Sequence, residues 1–198
     1  DMSPAETLRY ASRVRPCKGE RVSGDAAVIR QLDDGLFVAI IDVLGHGPEA
    51  HELTPVIEGF LDRYASQNVA VLMTNLHQHL KGTRGAAAGF CAIDSVSGRL
   101  TYVGVGNTSI RRFGATETRL VSQDGVVGHT LRTLMPQTLA LADGDLVVLY
   151  TDGVSDRFTA AEYPSVLHHA AEEVAGNIVQ RFGKDHDDAT CIAVRYQA

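Results

Sequence analysis

The chain has 198 residues, 44% of them hydrophobic, which is enough to bury a substantial core and fits one domain, residues 1–198, better than two. Its formal net charge of −6 leaves no general basic field for a nucleic-acid backbone, no stretch approaches the roughly 18 apolar residues of a membrane span, and the N-terminus lacks the apolar segment of a signal peptide. Cys17, Cys91 and Cys191 are widely spaced without any Cys-x-x-Cys pair, so neither a disulfide framework nor a zinc site is indicated and a reducing cytoplasm is the expected compartment.

In chain order, Leu8 to Arg15 and Ala26 to Leu32 mix branched, aromatic and charged residues as strands do, and Asp34-Gly35 marks a hairpin into Leu36 to Ile41. The N-terminal quarter therefore reads as a β-meander, with Arg9, Arg13, Arg15, Lys18 and Arg21 as a solvated basic face. After Gly45-His46-Gly47-Pro48 the apolar period changes. Ala50, Leu53, Val56, Ile57, Phe60, Leu61 and Tyr64 recur at three and four residues, which predicts a helix started by Pro48. A second helix is predicted from Val69 to Leu80, ending at Lys81-Gly82. Gly89 to Ile93 and Leu100 to Val105 form a hairpin about Ser97-Gly98. Short strands follow at Ile110 to Phe113, Thr118 to Val121, Gln137 to Leu141 and Leu146 to Tyr150, the last two joined by Asp143-Gly144. Residues 160–182 read as helical and Cys191 to Tyr196 as a closing strand. This order predicts an α+β protein with helices flanking antiparallel sheets.

Acidic residues stand at the ends of apolar runs in Gly24-Asp25, Ile40-Ile41-Asp42, Leu149-Tyr150-Thr151-Asp152-Gly153 and Asp187-Asp188-Ala189-Thr190. A carboxylate at a strand end sits at a sheet rim, where several can converge, and oxygen-only ligands suit hard cations such as Mg²⁺ or Mn²⁺. Asp34-Gly35, Asp124-Gly125 and Asp143-Gly144 are ordinary turn chemistry by contrast. Asp152-Gly153 differs because no strand returns after it. Asp42 differs because it meets Gly45-His46-Gly47, whose glycines permit close approach to a ligand.

Three of these segments, Asp42-Val43-Leu44-Gly45-His46-Gly47, Thr151-Asp152-Gly153 and Asp187-Asp188-Ala189-Thr190, resemble the motifs of PPM-type (type 2C) metal-dependent serine/threonine protein phosphatases. The likeness spans roughly residues 20 to 196 and points to the bacterial SpoIIE-like branch. Arg84-Gly85-Ala86-Ala87-Ala88 and Gly104-Val105-Gly106-Asn107 add a likeness to its short RsbX-like members, which reset stressosome proteins. The resemblance implies a four-layer α-β-β-α sandwich of two antiparallel sheets flanked by helices, and two divalent cations, Mn²⁺ or Mg²⁺. It implies that Asp42 bridges both ions, that the carbonyl of Val43 adds a ligand, that Asp152 and Asp187 hold one ion and that Asp25 completes the shell of the other. Asp187 matches the family's aspartate position, with Asp188 as the alternative. Two departures stand out: the usual Asp-Gly is Asp42-Val43, and the usual Gly-Asp-Ser is Gly106-Asn107-Thr108, which weakens a third-metal site. Asp156 either caps a following helix, the favoured reading, or assists a third ion.

The implied reaction is hydrolysis of phosphoserine or phosphothreonine on a protein partner, by this likeness a STAS-domain stressosome protein, with neither nucleic acid nor membrane involved. A phosphatase of an anti-sigma-factor antagonist and a catalytically silent docking module of the same fold are the alternatives. His46 is the candidate proton donor to the leaving alkoxide, with orientation of a ligand or water as its other role. Arg21, four residues before Asp25, is the candidate phosphate binder, and Arg13 would serve as well. His77, His79, His168 and His169 are expected at the surface.

Overall fold

The computed structural model describes residues 7–161 and 167–198. Its elements are β1 (Leu8–Arg15), β2 (Asp25–Leu32), β3 (Gly35–Val43), α1 (Gly47–His51), α2 (Thr54–Tyr64), α3 (Val69–His79), β4 (Ala86–Asp94), β5 (Arg99–Val105), β6 (Ser109–Phe113), β7 (Glu117–Leu120), β8 (Gln137–Ala140), β9 (Leu146–Tyr150), α4 (Ala171–Phe182) and β10 (Ala189–Tyr196). Two five-stranded antiparallel sheets, ordered β1-β10-β9-β6-β7 and β2-β3-β4-β5-β8, stack with helices outside, the expected sandwich.

Period-two alternation explains the layers. Along β3, Leu36, Val38 and Ile40 face the other sheet and meet Val147 and Leu149 of β9 and Ile192 and Val194 of β10. The intervening Phe37, Ala39 and Ile41 turn outward onto Ile57, Leu61, Met73 and Leu76 of α2 and α3. Because both faces are covered, β3 is a continuous apolar run rather than an alternating one. On the far side, Val148, Tyr150, Cys191 and Ala193 carry Val174 and Ile178 of α4. Cys91 and Cys191 are fully buried free thiols in these layers.

Several expectations are corrected. The N-terminal quarter is not one meander: β2 and β3 form the hairpin, whereas β1 pairs along its length with β10 in the other sheet. Asp143-Gly144 is the turn between β8 and β9, as expected, and it carries the chain from β8, which pairs with β5, across to β9 in the opposite sheet. The helix started by Pro48 ends at His51 and a second begins at Thr54. Pro55, in the first turn of α2, has no N–H to give an earlier carbonyl, so the periodic run splits there. The reading of residues 160–182 as helical holds for 171–182, which form α4; residues 160 and 161 lie in a turn, and 162–166 lie outside the described residues. His77 is buried, not at the surface: its Nδ1 accepts from the Gly128 N–H at 2.9 Å, and burial lowers its pKa. His79 stacks on Phe60 with ring centres 5.0 Å apart.

Residues 121–136, between β7 and β8, form no long element but are pinned by Gln123 N–H to Gly104 O (2.8 Å) and Val127 N–H to Ala86 O (2.9 Å). This brings Gly125 and Val126 to the sheet rim. No helix among the described residues is long and apolar enough to cross a membrane.

Candidate metal centre

The rim where β2, β3, β9 and β10 end is built by the same alternation. Asp42 follows Ile40 by two residues, so its side chain belongs to the row facing between the sheets, and register sets it opposite Asp25 of β2. Thr151 continues the inward row of Leu149, and Thr190 precedes that of Ile192. Both hydroxyls donate to Asp25 Oδ2, each at 2.7 Å, and Thr190 N–H donates to Thr151 Oγ1 at 3.1 Å. One oxygen of the buried Asp25 is therefore committed to the opposite sheet, and Oδ1 is left for another partner.

The two adjacent aspartates before β10 divide the work. Asp188 is 2% exposed, and its Oδ1 and Oδ2 accept from Cys17 N–H (2.7 Å) and Gly24 N–H (2.8 Å). It staples the loop before β2 to the segment that leads into β10. Asp187 is only half-buried and lines one cleft with Asp42, Asp152, Asn107, His46 and His186. This cleft encloses about 410 Å³. A larger groove of about 700 Å³ between α2 and α3 is walled by Phe60, Tyr64 and Val56 and has no carboxylate in its lining.

Burial holds the carboxyl of Asp42 above the usual carboxylate range, and the charges of Asp25 and Asp152 push the same way. Burial also raises Asp25, against the pull of its two threonine hydroxyls, and raises Asp187, with Asp152 adding to it. Like charges held this close strongly favour a cation between them. Among the described residues no three His, Cys, Asp or Glu side chains are already closed on one point, so the donors are gathered but not clasped. Their chemistry, all carboxylate oxygen, fits a hard divalent cation.

The remaining expected residues fall as follows. Val43 is fully buried at the end of β3, its N–H donating to Gly24 O at 2.9 Å. His46 lines the cleft with its Nδ1 3.3 Å from Glu20 Oε1. Arg21 is exposed in a bend, and Arg13 lies against Gly176 of α4; neither lines the cleft. Arg15 and Lys18 approach Asp185 at 3.9 Å each, in the turn that carries Asp187. Asp156 offers its carboxylate to Tyr150 and to Arg119 (2.6 Å) and, among the described residues, to no backbone amide. Against the upward push of partial burial, those two partners hold its pKa low.

Other side chains around the site had no role assigned from the sequence, although Arg84 and Asn107 stand in segments that carry the family likeness. Asn107 Nδ2 reaches Asp152 Oδ2 at 3.5 Å, Lys184 donates to the Asp152 carbonyl at 2.7 Å, and Arg84 donates to Leu44 O at 2.9 Å. Gly125 belongs to an Asp-Gly pair read as a plain turn, yet it lines the cleft. Gly153 is fixed by space: a Cβ there would stand 1.6 Å from the Asp188 carbonyl oxygen. Gly153→Ala is expected to cost about 1–3 kcal/mol or more by overpacking, read as a lowered urea midpoint. It should also weaken metal binding, because the displaced backbone carries both Asp152 and Asp187.

A family model described as Stage II sporulation protein E (SpoIIE) matches residues 32–197. Phosphoserine phosphatase RsbX of Bacillus subtilis (strain 168) is 24% identical over 182 residues, which is 88% of each chain. A chain from a structure described as "The bacterial stressosome: a modular system that has been adapted to control secondary messenger signaling" matches with a TM-score of 0.88 at 25% identity, over 95% of this chain and 99% of that one. A crystal structure of RsbX in complex with magnesium gives a TM-score of 0.83 at 22% identity, over 96% of each chain.

Proposed function

Because this chain belongs to the SpoIIE family, we propose that it is a divalent-cation-dependent PP2C-type phosphatase that hydrolyses phosphoserine or phosphothreonine on a protein partner. The observation that carries this reading is the meeting of Asp42, Asp152 and Asp187 in one open cleft, from three separate stretches of chain, with His46 on its wall. Asp42, Asp152 and Asp187 are the residues to hold the cations, helped by the Val43 carbonyl and the free oxygen of Asp25. When bound, Mg²⁺ or Mn²⁺ supplies Lewis acidity for attack of water on phosphorus and offsets charge on the phosphoryl oxygens.

The side chains around that centre have separable tasks. Thr151 and Thr190 hold Asp25 from the facing sheet, while Asn107 and Lys184 hold the carboxylate and the carbonyl of Asp152. His46 supplies a proton to the departing seryl or threonyl oxygen, a poor leaving group without it. Leu44, 44% exposed at the mouth, gives an apolar landing for the chain around the phosphorylated residue. An open rim of this kind suits a side chain projecting from a folded protein. The relation to RsbX makes a STAS-domain stressosome protein the favoured partner.

Phosphate release should be measured from an aryl phosphate, then from phosphorylated STAS-domain and anti-sigma-factor-antagonist proteins, with Mn²⁺ and with chelator. The expected result is Mn²⁺-dependent turnover, abolished by chelation and fastest on the stressosome substrate. Faster turnover of the antagonist would reassign the partner. Partner binding without turnover under any metal would make the chain a silent docking module, and turnover indifferent to chelation would overturn the metal-dependent reading.

A further inference from the structure

His46 stands between two glycines with left-handed backbone, Gly45 (φ +95°) and Gly47 (φ +71°). It occupies the N-cap of α1 but makes no side-chain cap hydrogen bond, so its ring is not spent on the helix. Nδ1 is instead 3.3 Å from Oε1 of Glu20, a residue of the loop between β1 and β2. The carboxylate of Glu20 is seated on Gly47: a Cβ at that position would lie 2.9 Å from its Cδ and from both oxygens. Only glycine leaves room for this approach. His46 lines the cleft with Asp42 whereas Glu20 does not, and with Nδ1 engaged by Glu20, Nε2 is the ring nitrogen left free to serve the cleft.

Exposure shows what this pair is not for. With side chains 58% and 29% exposed, His46 and Glu20 form a solvent-screened contact that adds little to stability. We infer that Glu20 is a positioning residue for the reaction, holding His46 through its Nδ1–H so that Nε2–H faces the leaving oxygen of a phosphoserine or phosphothreonine. This rests on the phosphatase reading above. A carboxylate on Nδ1 fixes ring orientation and tautomer and neutralises the imidazolium, which is what a histidine needs to deliver a proton from its other nitrogen. In the step it serves, water forms the new P–O bond and the seryl P–O bond breaks. The Nε2 proton passes to the seryl oxygen, and the proton released by the attacking water returns, through solvent, to the imidazole.

Substrates that differ in their need for that proton provide the test. Wild type, Glu20→Ala and Glu20→Gln are compared with Mn²⁺ on a phosphoserine peptide, whose alkoxide must be protonated, and on 4-nitrophenyl phosphate, whose phenolate leaves readily. Glu20→Ala is expected to lose about 10- to 100-fold in kcat on the peptide, a share of the 10²–10⁴ that a placed acid supplies. Its loss on the aryl phosphate should be several times smaller, with KM and melting temperature little changed. Glu20→Gln keeps an oxygen acceptor and should fall between the two. In the metal-free protein, nitrogen-15 spectra of the neutral His46 ring are expected to report Nδ1–H in wild type and its loss in Glu20→Ala. Equal losses on both substrates, no loss on the peptide, or a wild-type ring protonated only on Nε2 would overturn the inference. If wild type hydrolyses neither substrate, the phosphatase reading fails, and the tautomer spectra still decide whether Glu20 orients His46.

Discussion

Asp42→Asn is expected to abolish metal-dependent turnover, by about 10³-fold or more, while making the metal-free protein melt at a higher temperature near pH 7.5. The loss reflects the several kcal/mol that a Lewis-acid centre supplies, each tenfold being about 1.4 kcal/mol. The gain follows from the direction in which the site is charged. Burial, with Asp25 and Asp152 close by, holds the Asp42 carboxyl above its usual range, so the folded metal-free chain keeps a proton that the unfolded chain releases. Its stability is therefore full below the ordinary carboxylate pKa and declines as pH rises through the elevated one. An amide does not titrate, so the advantage of Asp42→Asn should be greatest near pH 7.5 and shrink toward pH 5. Relief of about 1 kcal/mol corresponds to about 2–4 °C in a chain of this size. Melting curves at both pH values, with and without Mn²⁺, check this: Mn²⁺ should raise the wild-type midpoint and leave that of Asp42→Asn nearly unmoved. A variant that melts lower than wild type without metal would show that Asp42 is held by favourable contacts and not by repulsion.

Adjacent aspartates are expected to give opposite phenotypes. Asp188→Ala removes the acceptor for two backbone N–H groups, those of Cys17 and Gly24, in a place that is 2% exposed. Each orphaned buried donor costs about 1–3 kcal/mol, so a drop of about 2–5 kcal/mol is expected. That is on the order of 5–15 °C in melting temperature. Asp187→Ala loses one local acceptor, for the Asp188 N–H at 2.9 Å, and sheds a charge that burial and Asp152 disfavour. Its metal-free midpoint should stay within about 2–3 °C of wild type, while its affinity for Mn²⁺ and its turnover collapse. The reverse pattern, a stable Asp188→Ala without metal affinity and an unstable Asp187→Ala, would exchange their roles.

How much of this the sequence discloses depends on the range of the interaction. The apolar run of β3 with an aspartate at its end is local, and so are the strand-end positions of Asp152 and Asp187; the three meet in one cleft. The partner of β1 is β10, at the other end of the chain, and no local pattern distinguishes that pairing from a hairpin with β2. Thr151 and Thr190 stood inside the quoted motifs, yet their hold on Asp25 shows only once β9 and β10 are known to face β2. Parity did hold a usable signal for the paired aspartates: Asp188 is two residues before the inward-facing Thr190, while Asp187 is out of that phase. Glu20 gave no signal at all, because its meaning comes from a loop packed on Gly47.

Diffraction from crystals grown with Mn²⁺, recorded at the manganese edge, addresses the central claim most directly. Two anomalous peaks are expected in the cleft, with Asp42 touching both, Asp152 and Asp187 touching one, and Asp188 still bound to the amides of Cys17 and Gly24. Peaks confined to surface carboxylates such as Asp185, with Asp42, Asp152 and Asp187 making no contact with manganese, would contradict the account.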